Sequence, residues 1–118
     1  MAGGLGIVTG STSADQEGTG QKPAETLIIA AQGIAFDRDT LEPPWGKPFA
    51  IEFTNSDVHT PHNVAICTDS SASTRLFVGE IFPGAASRTY SVPALDPGTY
   101  FFRCDVHPTQ MTGSVVVG

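Results

Sequence analysis

The stretch "GTYFFRCDVHPTQMTGSVVV", residues 98–117, has the pattern of two β-strands joined by a short turn. Successive side chains of a strand point to opposite faces, so Phe102 and Cys104 are predicted to share the inward face of the first strand. The second strand begins two residues after Met111. Residues 105–110 are therefore expected to form a tight turn between neighbouring strands at one end of the fold.

Upstream of this stretch, short strand-like runs alternate with turn clusters rich in proline and glycine. The runs are "TLIIAA", "GIAFD", "FAIEFTN", "HNVAICT", "LFVGEIF" and "RTYSVPA". The chain has 13 glycines and 9 prolines, and no window shows sustained helical periodicity. This pattern predicts an all-β fold, a Greek-key β-sandwich or barrel of seven to eight strands. In "FAIEFTN", Ile51 and Phe53 are expected to face the core, with Glu52 and Thr54 on the opposite face.

A length of 118 residues is typical of one domain. Residues 1–23 are mostly glycine, serine, threonine and charged residues, a composition that predicts a flexible leader or linker. The folded domain is expected to span residues 24–118. A leader of this kind fits an exported or tethered domain without its anchor about as well as it fits a plain disordered tail.

The charge balance limits the partners. Twelve acidic against six basic residues give a net charge of −6, which disfavours nucleic acid and anionic lipid and favours a cationic partner. No apolar run approaches the roughly 18 to 20 residues that a transmembrane helix needs. We therefore expect no transmembrane segment in this chain.

Three metal-binding residue types, Cys104, His107 and Met111, fall within eight positions. A thiolate, an imidazole and a thioether form a soft donor set, which favours copper over magnesium, calcium or manganese. A fourth donor is needed, and the remaining histidines are His59 and His62. His62 is favoured because it begins an apolar run that enters the core, whereas His59 lies in the preceding loop.

Two segments resemble the cupredoxin family of type 1 blue copper proteins. "PHNVAI" is similar to the segment that carries the family's first histidine, and residues 98–117 are similar to its terminal ligand loop and last strand. The resemblance covers about residues 25–118. It implies one copper ion bound by His62, Cys104, His107 and Met111, with Asn63 joining the two ligand loops by hydrogen bonds.

The spacing in the ligand loop differs from familiar members of the family. Three residues separate His107 from Met111, whereas plastocyanin-like loops usually have four and amicyanin-like loops two. Cys67 is a second departure. Strand alternation places it on the face opposite His62, so we expect an unliganded thiol.

The resemblance implies one-electron transfer by copper that cycles between Cu(I) and Cu(II), with no enzymatic activity. His107, beside Pro108 and with Pro61 and Pro83 as expected neighbours, would be the path for electrons. Two alternatives are a copper chaperone or storage domain and an electron-entry domain of a larger oxidase assembly. Three histidines are too few for a second copper centre in this chain unless a partner supplies further ligands.

We expect a monomer that exchanges electrons with a c-type cytochrome or a terminal oxidase. The family resemblance favours an extracytoplasmic location, in the periplasm or on the outer face of the cytoplasmic membrane. The structural alternative for Cys104 is a disulfide with Cys67, as in immunoglobulin-like sandwiches. Trp45 lies in a loop between prolines rather than on a central strand, which disfavours that alternative.

Overall fold

The computed structural model describes residues 25–118. The predicted leader, residues 1–23, lies outside this range. The described residues form ten strands: β1 (Thr26–Ala31), β2 (Thr40–Leu41), β3 (Phe49–Asn55), β4 (Pro61–His62), β5 (Ala65–Cys67), β6 (Arg75–Val78), β7 (Phe82–Pro83), β8 (Ala86–Val92), β9 (Gly98–Arg103) and β10 (Thr112–Val117).

These strands form two main sheets and one short ribbon. The larger sheet has the order β2-β10-β9-β5-β6, the smaller one β1-β3-β8, and β4 pairs with β7. Pairing is antiparallel except between β1 and β3 and between β2 and β10. One hydrophobic core contains side chains from both main sheets, including Ile29 and Phe53 from the smaller and Ile66 and Phe102 from the larger. The all-β sandwich predicted from the sequence is confirmed.

The predicted faces of the strands are also confirmed. Ile51 and Phe53 are fully buried, whereas Glu52 between them is exposed. Phe102 and Cys104 are fully buried at the end of β9. Cys104 therefore lies at the end of the inward-facing row of β9, directly before the turn of residues 105–110.

β9 and β10 are antiparallel neighbours, so residues 105–110 form the expected turn between them. Gly113 in β10 stands opposite Phe102, and a Cβ atom there would lie 2.4 Å from the Phe102 ring. Glycine therefore lets this ring pack directly below the turn.

The expected strand "GIAFD" is wrong. Gly33 and Ile34 have φ angles of 65° and 56°, which lie in the left-handed region and turn the chain back on itself. Only Phe36 forms a single bridge, to Ala31. β-propensity identified the apolar residues here but not the turn, whose amides bond to Asp57 instead.

Two other expected strands are each split in two, so there are more strands than the seven to eight predicted. "HNVAICT" is interrupted between β4 and β5, and "LFVGEIF" between β6 and β7. The interruptions meet, because the Gly79 amide donates to the Val64 carbonyl at 2.9 Å. Residues 63–64 and 79–81, which interrupt the strands, therefore lie next to each other beside His62. The described part of the chain has no helix long and apolar enough to cross a bilayer.

Candidate metal centre

Three metal-binding side chains converge at one end of the sandwich. The Cys104 Sγ lies 3.7 Å from the His62 Nδ1 and 4.0 Å from the His107 Nδ1. The three donor atoms lie within 4.8 Å of one another. Metal bonds to nitrogen and sulfur are about 2.0 to 2.3 Å long, so two donors in a trigonal plane lie roughly 3.5 to 4 Å apart. The spacing therefore fits one shared ion.

The backbone holds this arrangement from two directions. His62 ends β4, where it pairs with Phe82 of β7, and Cys104 directly follows β9. The Cys104 amide donates to the Met111 carbonyl at 2.9 Å, and the Met111 amide donates to the His107 carbonyl at 3.1 Å. These bonds close the turn that carries His107.

The four candidate donors differ in their access to solvent. His62 and Cys104 are fully buried, and Met111 is 1% exposed. His107 is only partly buried, and its ring meets that of His62 edge-on, with centroids 4.9 Å apart. His107 is therefore the donor that connects this cluster with the protein surface.

Asn63 joins the two segments that carry the donors, as predicted from the sequence. Its Oδ1 accepts a hydrogen bond of 2.8 Å from the Asp105 amide. Its Nδ2 donates to the Gly79 carbonyl at 3.0 Å and to the Asp105 Oδ2 at 3.2 Å. His62 directly precedes Asn63, and Cys104 directly precedes Asp105. Because Asn63 is fully buried, its bonds to Asp105 hold His62 and Cys104 in place relative to each other.

The Asp105 carboxylate is also bound by two arginines. Arg103 donates from Nε at 3.1 Å, and Arg75 donates from its terminal nitrogen to the same oxygen. Partial burial raises the pKa of Asp105, but the hydrogen bonds from Asn63, Arg75 and Arg103 outweigh it and hold the pKa below its usual range. Asp105 is thus a compensated anion beside the ligand turn.

Sequence patterns did not identify Asp57, which contacts the candidate ligand His62 directly. The His62 Nε2 donates to the Asp57 Oδ2 at 2.8 Å. This hydrogen bond is the main reason that the pKa of Asp57 is lowered to about 2. Asp57 lies in the loop between β3 and β4, where strand alternation does not apply.

The rejected donor candidates lie elsewhere. His59 is exposed, with a φ angle of 67°, and is not part of the donor cluster. Cys67 is buried and free, and so is Cys104, so the disulfide alternative is wrong. Cys67 pairs with Phe101 across the sheet and is not among the donors, as expected.

Apolar side chains occupy the surface around the strands that carry the donors. Pro61 and Pro83 face each other across β4 and β7, and both are exposed. Ile81, which precedes β7, is 49% exposed, and Val106, which precedes His107 in the turn, is 38% exposed. Pro61 and Pro83 are therefore exposed neighbours of each other, and their expected proximity to His107 stays a prediction.

A two-sheet β-sandwich with two histidines, a cysteine and a buried methionine at one end defines a protein of the cupredoxin type. The family model described as a cupredoxin-like domain matches residues 4–117. The chain belongs to this family.

Solved structures of similar fold include two auracyanins and an amicyanin. An auracyanin from Roseiflexus castenholzii superposes with a TM-score of 0.71 at 22% identity, covering 79% of this chain and 96% of its own. Auracyanin A from Chloroflexus aurantiacus, described as a "blue" copper protein, gives 0.69 at 22% identity, covering 79% and 98%. Amicyanin from Paracoccus versutus gives 0.58 at 21% identity, covering 83% and 86%. Comparison with curated protein sequences gave no match.

Proposed function

We propose that this chain is a one-electron carrier with one type 1 copper ion bound by His62, Cys104, His107 and Met111. The observation that carries the proposal is the convergence of two Nδ1 atoms on the Cys104 sulfur at 3.7 and 4.0 Å. Two imidazoles and a thiolate with a weak axial thioether are the donor set of blue copper sites. Bound copper would supply reversible one-electron chemistry between Cu(I) and Cu(II).

The donor set favours copper over zinc. Zinc also accepts two histidines and a cysteine, but a buried thioether is a soft donor that suits copper. Met111 is 1% exposed and its carbonyl is bonded to the Cys104 amide, so its backbone is held beside the thiolate ligand. Zinc bound at this place would be a substitute that carries no electron.

We infer that the protein is not an enzyme. Four protein donors leave no coordination position for a substrate, and a catalytic metal site usually keeps one open. The partly buried His107 is the proposed path for electrons, and Pro61 and Pro83, beside the His62–Phe82 pair, add exposed apolar surface to the β4–β7 ribbon. An apolar surface can be desolvated by a transient partner at low cost.

A copper chaperone or storage domain is the main alternative. Such a protein must release its ion, and exposed donors that can be exchanged favour release. His62 and Cys104 are instead fully buried, and Asn63 and Asp105 link the segments that hold them. This rigidity favours electron transfer, because a site that changes little between oxidation states reorganises little.

The net charge of −6 favours a basic redox partner, such as a c-type cytochrome or a terminal oxidase. Attraction of this kind acts mainly through the rate of encounter. We propose a monomer, in an extracytoplasmic location, in agreement with its family membership. An electron-entry role beside a larger oxidase uses the same chemistry with a different partner.

Addition of Cu(II) to the purified chain tests the proposal. We expect one equivalent to bind and to give an intense thiolate-to-copper absorption band in the visible range. Zn(II) is the matched control and gives no colour. Rapid mixing with a reduced c-type cytochrome should then bleach the band in one step, with a rate that falls as salt rises. A colourless copper complex, or a coloured one that the cytochrome cannot reduce, would contradict the proposal.

A further inference from the structure

The Asp57 carboxylate accepts three hydrogen bonds from two segments of the chain. Its Oδ2 accepts from the His62 Nε2 at 2.8 Å and from the Ile34 amide at 2.9 Å. Its Oδ1 accepts from the Gly33 amide at 2.7 Å. The turn at Gly33 and Ile34, which replaces a predicted strand, thus directs two backbone amides at this carboxylate.

The backbone of Asp57 is fixed as firmly as its side chain. Its amide donates to the Oδ1 of the fully buried Asn55 at 2.9 Å. Its carbonyl accepts from the Thr60 amide at 3.1 Å and from the Gly84 amide at 3.2 Å. The side chain is 16% exposed. A carboxylate held in this way has little freedom to leave the imidazole.

This contact determines which nitrogen of His62 is available as a donor. An ionised carboxylate only accepts, so the Nε2 must carry the proton. The other nitrogen, Nδ1, is then unprotonated and faces the Cys104 Sγ at 3.7 Å. Carboxylate partners of this kind fix the ring orientation of metal-binding histidines and make them stronger donors.

No lysine or arginine of the described residues forms an ion pair with Asp57. Among ion pairs within residues 25–118, Asp57 has only His62 as a partner, whereas Asp105 has Arg75 and Arg103. The two carboxylates near the donors therefore differ. Of the two, only Asp57 bonds directly to a proposed ligand, and it does so without a lysine or arginine partner from the part of the chain that the structure describes.

We infer that Asp57 is a positioning residue that holds His62 in the Nε2–H form and lowers the reduction potential of the centre. The inference rests on the proposed function. A negative charge on the ligand imidazole stabilises the more highly charged Cu(II) state more than Cu(I). A charge-assisted hydrogen bond is also roughly twice as strong as a neutral one.

The test compares the reduction potentials of Asp57→Asn and Asp69→Asn. Each variant removes one negative charge from the protein, but only the first removes it beside His62. Asp69 lies in the turn between β5 and β6, where its carboxylate bonds to Ser71. Asp57→Asn keeps an acceptor for His62 but removes the charge. We expect it to weaken Cu(II) binding relative to Cu(I) about tenfold, a rise of about 59 mV for a one-electron couple. Equal potentials for the two variants would overturn the inference.

A second measurement needs no copper. In the metal-free chain, nitrogen-15 NMR of His62 should show the proton on Nε2 in the native protein and in Asp57→Asn. In Asp57→Ala, which has no acceptor, both neutral forms should be populated, while Asp69→Ala stays native. A native pattern in Asp57→Ala would refute the positioning role. Failure of the native chain to bind copper would instead refute the proposed function, and the NMR result would stand independently.

Discussion

The amide of Cys104 donates to the carbonyl oxygen of Met111 at 2.9 Å, which extends the β9–β10 ladder by one pair into the ligand turn. Within the turn that Cys104 and Met111 close, the amides of Gln110 and Met111 both donate to the His107 carbonyl, at 3.3 and 3.1 Å. The three-residue spacing between His107 and Met111 is accommodated in this way, as one helical-type turn. Cys104 and Met111, the proposed sulfur donors, are consequently attached to facing backbone positions.

Met111→Leu should retain copper and raise the reduction potential. Leucine has a volume similar to methionine, so the fold is expected to lose less than about 1.5 kcal/mol of unfolding free energy. If the Met111 sulfur is the weak fourth donor, its removal would leave bound Cu(II) with one donor fewer, which disfavours the oxidised state. Redox titration of the visible band measures the shift. A potential equal to or below that of the native protein would argue against Met111 as the axial donor.

Cys104→Ser should abolish the visible band, whereas Cys67→Ser should leave it unchanged. Both thiols are fully buried, but only the Cys104 sulfur contacts the two imidazoles. A hydroxyl cannot replace the thiolate that gives rise to the absorption. Copper titration followed by visible spectroscopy compares the two variants directly, with Cys67→Ser as the matched control. Bleaching by Cys67→Ser would place that thiol in the site.

Much of this centre was predictable because strand alternation and a short turn leave few arrangements. Phe102 and Cys104 had to share the inward face, and the turn after them had to bring His107 close. The choice of His62 over His59 followed from the apolar run that His62 begins. Each inference used the two-residue alternation of a β-strand, which is visible in the order of apolar and polar residues.

The contacts that no repeat describes were not predictable. Asp57 and the turn at Gly33 and Ile34 come together through irregular backbone, so their pairing depends on tertiary structure alone. The prediction of a strand over residues 33–37 was wrong for the same reason. Its apolar residues are typical of a strand, but the backbone has positive φ angles at Gly33 and Ile34. Arg75 is likewise 30 residues from Asp105 in sequence, so no repeat describes its bond to that carboxylate.

Asn63→Ala should destabilise the protein by about 1 to 3 kcal/mol, because it leaves buried partners without their hydrogen bonds. The Asp105 amide and the Gly79 carbonyl both lose a bond of 3.0 Å or less. Urea unfolding of the metal-free chain measures the loss. Gln110→Ala, at an exposed position of the ligand turn, is the control and should change stability by less than about 0.5 kcal/mol. Equal effects of the two variants would mean that Asn63 does not join the segments.

Tyr90→Phe should make the protein less sensitive to alkaline pH. The Tyr90 ring is 6% exposed and stacks near Phe53, and its hydroxyl donates to the Glu80 carbonyl at 2.7 Å. Burial raises the pKa of Tyr90 well above its ordinary value. An acid whose pKa is higher in the folded state binds its proton more tightly there. Its contribution to stability is therefore complete below the unfolded pKa of about 10 and is lost as pH rises above it.

The two proteins should accordingly differ most near neutral pH and converge as pH increases. At pH 8 the variant lacks one hydrogen bond, worth about 0.5 to 1.5 kcal/mol. Above about pH 10 the native protein must keep a buried phenol protonated or unfold, a constraint that phenylalanine removes. Urea unfolding of both metal-free chains between pH 8 and 11 measures the two slopes. Tyr100→Phe controls for loss of a hydroxyl, since that group also donates to a backbone carbonyl, of Asp96, at 2.7 Å. Parallel curves for native and Tyr90→Phe protein would show that burial of Tyr90 does not set the alkaline limit.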